Sequence, residues 1–311
     1  MNESTQNIHA ALLPFLGILR LHGDDAATFL QGQITHDTRL LADGRTLLAA
    51  CNTPQGRVVA LMRLRQTEDA LYALLPADLL ESVAGHLRRF VLRAKVAVQI
   101  AADLQVAWIG GQPSSATLAT GDYDANRTMS AIPPAGSAEI VSFDYSADRR
   151  VVATAGTALR AMTGLSLSQS LPGIEDAWWA ADVAAGLPQV FRASSAAFVP
   201  QMLNLDLLDG ISFTKGCYTG QEIVARTQHL GRIKRRTFRY RLSSGPTPAP
   251  LAGLTLDGAK VAEVVMGAAC GSHVELLAVT SLEARGRTLL TEDGREAVPV
   301  PMPYPVGTSE S

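Results

Sequence analysis

The chain has 311 residues, of which 47% are hydrophobic and 18% charged, with a formal net charge of −2 and a pI near 6.3. That is enough apolar material for two or three folded domains, and too little charge for a disordered chain. The near-neutral balance excludes a global basic field for nucleic acid, so strong direct RNA or DNA binding is not expected without a local patch.

The N-terminal residues Met1-Asn-Glu-Ser-Thr-Gln6 lack a basic region followed by an apolar one, which is the pattern of a secretory leader. No window reaches the roughly 18 apolar residues of a spanning helix, so the sequence reads as soluble and cytoplasmic. Residues 15–22 alternate weakly and predict a strand. Asp24 is the expected N-cap of a short helix through Leu30, ended by Gly32. Two apolar runs, 46–51 and 57–65, flank Asn52-Thr-Pro-Gln-Gly56 and predict a hairpin. A third strand is expected at 70–75. Pro76 then opens a helix through about Arg89, with Leu79, Leu80, Val83 and Leu87 on one face.

Strands are expected at 95–100, 104–109, 138–144 and 150–154, and 111–137, rich in Gly, Ser, Thr and Pro, reads as a mobile surface loop more readily than as a functional lid. Residues 175–185 predict a helix carrying Trp178 and Trp179, closed by Gly186 and Pro188. Residues 243–250 read as a linker or long loop. The short β-type runs at 261–266 and 274–280 make 232–311 mostly β, in the form of a small barrel. Strands and helices mix without a regular β-α-β rhythm, so the fold class is α+β.

The three cysteines, Cys51, Cys217 and Cys270, are far apart in sequence. This argues against a disulfide framework and against a self-contained zinc or cluster site. Neither standard nucleotide-binding glycine loop is present. Cys51 and Cys270 lie in apolar runs and read as core. Cys217 lies in Asp209-Gly-Ile-Ser-Phe-Thr-Lys-Gly-Cys-Tyr-Thr-Gly-Gln-Glu-Ile-Val-Ala-Arg226. Gly216 and Gly220 are read there as permitting backbone geometry that a side chain forbids. A helix is expected from about Thr219 to Arg226, so its N-terminus and Lys215 would both lower the thiol's pKa. A buried structural cysteine is the other reading; the two glycines and Lys215 favour the reactive one. Glu222 and Arg226 are spaced for an i,i+4 pair. His36 and Asp37 read as a surface turn more readily than as a cavity border. The arginines and lysine between Arg232 and Arg241 alternate with Phe238, Tyr240 and Leu242, predicting a half-buried strand with a solvated face; anion capture is the alternative.

Lys215-Gly-Cys-Tyr-Thr-Gly-Gln-Glu222 resembles the signature of the YgfZ family, folate-binding proteins related to the aminomethyltransferase (T protein) of the glycine cleavage system. Phe198-Val-Pro-Gln-Met-Leu-Asn-Leu205, Gly210-Ile-Ser-Phe213, Ala225-Arg226, Gly231-Arg-Ile-Lys-Arg-Arg236, Phe29-Leu-Gln-Gly-Gln-Ile-Thr35 and Leu47-Leu-Ala-Ala50 also fit. The resemblance implies an aminomethyltransferase-like folate-binding region around a central cavity over 1–230, as two interleaved subdomains or one, and a small β-barrel over 231–311. It implies a role in assembly or repair of iron–sulfur proteins, including a radical enzyme that methylthiolates tRNA. Cys217 would be the functional thiol with Lys215 beside it. Trp178, Asn204, Tyr218, Gln221, Glu222 and Arg226 would contact tetrahydrofolate or a derivative. Trp178 reads equally as a stacking platform or as a core residue.

Two departures stand out. The aspartate that carries one-carbon transfer in the aminomethyltransferases falls here at about Ala60, and alanine has no acid–base chemistry. A glutamate that helps hold the pterin falls at Ala184. Three functions follow as candidates: an iron–sulfur accessory protein whose cluster would be shared with another molecule, since one cysteine cannot hold it; a folate-dependent one-carbon transferase with another acceptor; and a folate-binding regulatory module.

Overall fold

The computed structural model describes residues 9–110, 140–146, 149–163, 172–229 and 233–307. The loop reading of 111–137 falls outside these, as does Arg232. Two antiparallel sheets and a closed barrel carry the architecture, with helices packed against them, so the class is α+β.

The first sheet has the order β3-β4-β5-β2-β6, from β2 (Leu16–His22), β3 (Leu47–Asn52), β4 (Val58–Gln66), β5 (Leu71–Pro76) and β6 (Ala97–Ile100). The predicted hairpin is β3–β4. Its register pairs Cys51 with Ala60 and slips before Asn52 pairs with Val58. Residues 58–64 are buried without alternation, because both faces of β4 are covered. Helix α1 (Ala26–Gln31) starts one residue later than expected: Asp25, not Asp24, is its N-cap, and the Asp25 carboxylate accepts from the Lys95 amide at 2.7 Å instead of capping. Helix α2 (Leu80–Arg88) follows Pro76 through a single 3-10 turn and buries Val83, Ala84 and Leu87.

The second sheet has the order β1-β7-β9-β8, from β1 (His9–Leu12), β7 (Leu104–Gly110), β8 (Ile140–Asp144) and β9 (Arg150–Ala155). Helix α3 (Gly156–Thr163) follows β9 directly, and α4 (Ile174–Ala184) carries both tryptophans inward. Neither β1 nor α3 was expected; both are short and without strong caps in sequence.

The barrel is closed in the order β10-β13-β12-β11-β14-β15. Its strands are β10 (Arg235–Ser243), β11 (Gly253–Leu256), β12 (Ala259–Cys270), β13 (His273–Ser281), β14 (Leu289–Leu290) and β15 (Glu296–Val300). Tyr240, Leu242, Val264 and Leu276 fill its interior, while Val265, Met266, Leu277 and Val279 face the main core. Cys270 ends β12 at a tight turn and is half-buried rather than core. The basic run forms the expected half-buried strand, with Lys234 and Arg241 exposed, but its arginines are ion-paired rather than simply solvated. Arg236 is buried on Asp206 at 2.7 Å, and Arg239 and Arg241 share Glu275 at 2.9 and 2.7 Å. Beyond β15 the chain runs Pro301-Met-Pro-Tyr-Pro-Val306, with the prolines exposed and Met302, Tyr304 and Val306 turned to the body. The Tyr304 hydroxyl donates to Gly186 O at 2.7 Å. No helix among the described residues is long and apolar enough to cross a membrane.

Candidate functional site

The Cys217 loop is fixed at both ends. On one side, Lys215 is buried, and its ammonium donates to three backbone carbonyls, Gln31 at 2.6 Å and Ile34 and His36 at 2.8 Å. These carbonyls belong to the exit of α1 and the segment after it. On the other side, the Thr219 amide donates to Gly32 O at 3.0 Å. Between these anchors Cys217 is exposed.

This arrangement corrects the expected partnership of Lys215 with the thiolate. An ammonium has three N–H donors, and all three are committed to carbonyls. Lys215 therefore positions the loop. Burial pushes its pKa down to about 8. The helix after the loop, α5 (Gln221–His229), begins four residues beyond Cys217, so the thiol lies outside its first turn.

Only one of the two motif glycines meets a steric demand. A Cβ on Gly216 would touch nothing within 4 Å. Gly220 has φ +82°, and a Cβ there would stand 2.6 Å from Thr53 O and 2.8 Å from the Gly56 Cα. The motif thus presses backbone against backbone onto the turn of the β3–β4 hairpin.

Residues 36 and 37 form no surface turn; both are buried. Asp37 caps the 3-10 helix Thr38–Asp43 through the Arg39 amide at 3.0 Å. The Arg39 guanidinium holds the Asp37 carboxyl well below its ordinary 3.8. The unfolded chain then binds the proton more readily than the folded one, so this contribution to stability is complete above about pH 4 and lost as pH falls below it. Asp37→Asn keeps a competent cap while removing the ionisation. Its stability is expected to change less steeply than wild type as pH falls below about 4. Equal slopes in urea titrations at each pH would refute this.

The six residues expected to contact folate fall in three places: Tyr218, Gln221, Glu222 and Arg226 in the motif and α5, Asn204 after a 3-10 turn, and Trp178 on α4. Tyr218 is buried beside Lys215, whose ammonium lies 4.9 Å from its ring centre, and burial pushes its hydroxyl up to about 12. Gln221 is half-buried at the start of α5. Glu222 and Arg226 form the expected i,i+4 pair at 2.8 Å, in solvent, where it contributes about 0.2–0.5 kcal/mol. Asn204, in left-handed conformation at φ 57°, spends its amide on Thr237 O at 2.9 Å and on Arg236 at 3.3 Å, joining the first region to the barrel. Trp178 is fully enclosed. Tyr145 meets it edge-on at 4.7 Å and the Arg149 guanidinium covers the ring at 4.6 Å, so it offers no open face for a pterin.

Sequence reasoning missed two features. Asn52, at the foot of the hairpin whose turn touches Gly220, is fully buried, and neither of its side-chain amide atoms has a partner among the described residues. Buried polar atoms are normally paired, so this amide marks a place that water or a ligand completes. The second feature is a buried charge cluster, in which Arg149 pairs with Asp182, and the Tyr145 hydroxyl donates to the same carboxylate at 2.8 Å. Asn52 could have been found from its place before the turn; the cluster joins residues too distant in sequence to suggest each other. Among the described residues, no group of three or more His, Cys, Asp or Glu side chains stands together as a metal site.

No protein-family model matches the chain. Curated relatives do. The chain is 31% identical over 223 residues to the tRNA-modifying protein YgfZ of Colwellia psychrerythraea, covering 71% of this chain and 68% of that one. It is 30% identical over 241 residues to the protein of the same name from Yersinia pseudotuberculosis, covering 77% and 72%. Among solved structures, the glycine cleavage system aminomethyltransferase T of Bartonella henselae superposes with a TM-score of 0.66 over 95% of this chain and 85% of that one, at 14% identity. That likeness establishes an aminomethyltransferase-like fold. With the Lys215–Glu222 motif folded as one anchored loop, and with identity of this extent to curated relatives, the chain belongs to the YgfZ family.

Proposed function

We propose that this protein is a folate-binding accessory factor in iron–sulfur cluster assembly or repair that supports tRNA modification, methylthiolation in particular, through Cys217. The observation that carries the reading is the contrast among its cysteines. Cys51 is fully buried, with its thiol pushed up to about 12 by burial, and burial also raises that of the half-buried Cys270. Cys217 alone is exposed, on a loop held by Lys215 and Thr219. A single thiol supplies one ligand of the four a cluster normally takes, so any cluster is shared with a partner. The names of the relatives support the tRNA arm of the reading, and an iron–sulfur protein such as a radical tRNA-methylthiolating enzyme is the fitting partner.

The fold supports folate as the ligand, with a change in the residues that would hold it. Trp178 and Asn204 are committed elsewhere, and Ala184 has no carboxylate. The unpartnered amide of Asn52 suits the donor–acceptor edge of a pterin. Bound tetrahydrofolate supplies a one-carbon carrier. Ala60 is fully buried in β4 and provides no group to move a proton.

Complementation of a deletion strain is the test. Wild type is expected to restore tRNA methylthiolation and iron–sulfur enzyme activity, and Cys217→Ser to restore less than about a tenth of it. Full rescue by Cys217→Ser would overturn the proposal. Turnover of methylene-tetrahydrofolate that survives Cys217→Ser would favour a one-carbon transferase instead.

A further inference from the structure

The barrel carries a concavity to which no residue of the Cys217 loop contributes. It is lined by Phe238 and Arg239 of β10, the turn at Arg285-Gly286, the end of β15 and the segment beyond it. Its volume is about 490 Å³, the size of a small-molecule site. Phe238, Val300, Met302 and the ring of Tyr304 supply apolar wall. The Tyr304 hydroxyl is already engaged by Gly186, so this residue offers its ring rather than its oxygen.

The charge lining the cleft is of one sign. Among the described residues, Arg239 and Arg285 are its lining groups of fixed charge, and no acidic side chain lines it. Arg239 shares Glu275 with Arg241, so one carboxylate serves two guanidiniums and a positive charge is left over. Arg239 also donates to Pro301 O at 3.2 Å, while its Nε–H is buried without an acceptor. Arg285 is exposed and makes no ion pair or hydrogen bond among the described residues. An apolar wall facing two arginines with surplus positive charge is complementary to an anion on an apolar body.

We infer that this cleft binds a small amphipathic organic anion, an aryl or alkyl carboxylate, sulfonate or phosphate ester, with its charged group at Arg285 and Arg239 and its apolar body against the Val300–Tyr304 wall. The inference is independent of the function assigned to Cys217. A small ligand rather than a nucleic acid is favoured because just two cationic side chains line the cleft among the described residues and the chain's net charge is −2.

The test uses the full chain and two fluorescent probes, 8-anilinonaphthalene-1-sulfonate and its uncharged analogue N-phenyl-1-naphthylamine. The sulfonate is expected to bind saturably and to weaken with salt. Arg285→Glu is expected to lower its affinity about tenfold or more, while Arg287→Glu on the same turn changes it less than about twofold. Both variants alter exposed side chains, and an unchanged melting midpoint confirms that they fold; Arg285→Gln provides a milder variant with an intermediate loss. Equal binding by wild type and Arg285→Glu would overturn the inference, as would equal affinity for the two probes. Displacement of the sulfonate by a short oligoribonucleotide but not by an aryl carboxylate would overturn the small-ligand assignment.

Discussion

Asp182→Ala is expected to destabilise the protein by about 3–5 kcal/mol, the usual cost of removing one partner from a buried ion pair. Both side chains of the pair are almost inaccessible, at 2% for Arg149 and 1% for Asp182. The substitution takes away the buried carboxylate that Arg149 pairs with, and with it the acceptor of the Tyr145 hydroxyl. The arginine cannot simply turn to solvent. Its guanidinium also donates to Trp178 O at 3.2 Å and Ser146 Oγ at 3.1 Å, and it lies against both aromatic rings. On the other side of Tyr145, Arg63 sits 3.4 Å from the ring centre and donates to the Tyr145 carbonyl at 2.7 Å. Two buried guanidiniums thus lie against one ring whose hydroxyl donates to Asp182. The paired change Arg149→Met with Asp182→Leu is expected to recover most of the loss, because it removes both desolvated charges together. Urea denaturation of the singles and the double gives the coupling directly. A single-variant cost below about 1 kcal/mol would contradict the account.

Lys215→Met is expected to cost about 2–4 kcal/mol, since three buried carbonyls lose a charge-assisted donor at once. Lys215→Arg should fail nearly as badly. A compact ammonium can aim three donors at three converging oxygens, whereas a planar guanidinium cannot fold around the same point. The effect should also be local. Amide hydrogen exchange is expected to rise in residues 31–37 and 213–219 well before the barrel responds. The Cys217 thiol stays exposed in either variant, so alkylation of the unfixed loop separates positioning from exposure. Wild-type stability and wild-type exchange in Lys215→Met would remove Lys215 from the site.

How far the sequence reached depended on whether the signal was local. The hairpin at Asn52–Gly56, the helix opened by Pro76 and the barrel strands with alternating burial were legible because period and turn chemistry lie within a few residues. The motif around Cys217 was legible as a motif, but its mechanics were not. Lys215 adjoins the cysteine in sequence, yet its side chain runs to the exit of α1, about 180 residues earlier in the chain. Trp178 shows the same limit from the other side. An aromatic residue on a helix face looks alike in sequence whether a ligand or Tyr145 and Arg149 cover its ring. The ion-paired state of the basic strand was hidden for a similar reason, because its counter-charges come from Asp206 and Glu275 on other elements.

The seam that closes the barrel has a consequence for the order of folding. β10 pairs with β13 and also with β15, joining Arg239–Arg241 to Val298–Val300. Such a pairing has high contact order: the loop it closes contains most of the barrel, so its entropy is lost before the contacts repay it. The hairpin β12–β13 and its partner β10 can form as a three-stranded unit, and the seam must wait for the last strand. The proline-alternating segment beyond β15 lowers the remaining cost, since its backbone is already restricted before it docks. Tyr304 follows that strand directly and is expected to reach Gly186 and Asn204 after the seam has zipped. Its hydroxyl is therefore a late-forming latch, and the end of α4 and the joint at Asn204 are tightened by the step that finishes the barrel.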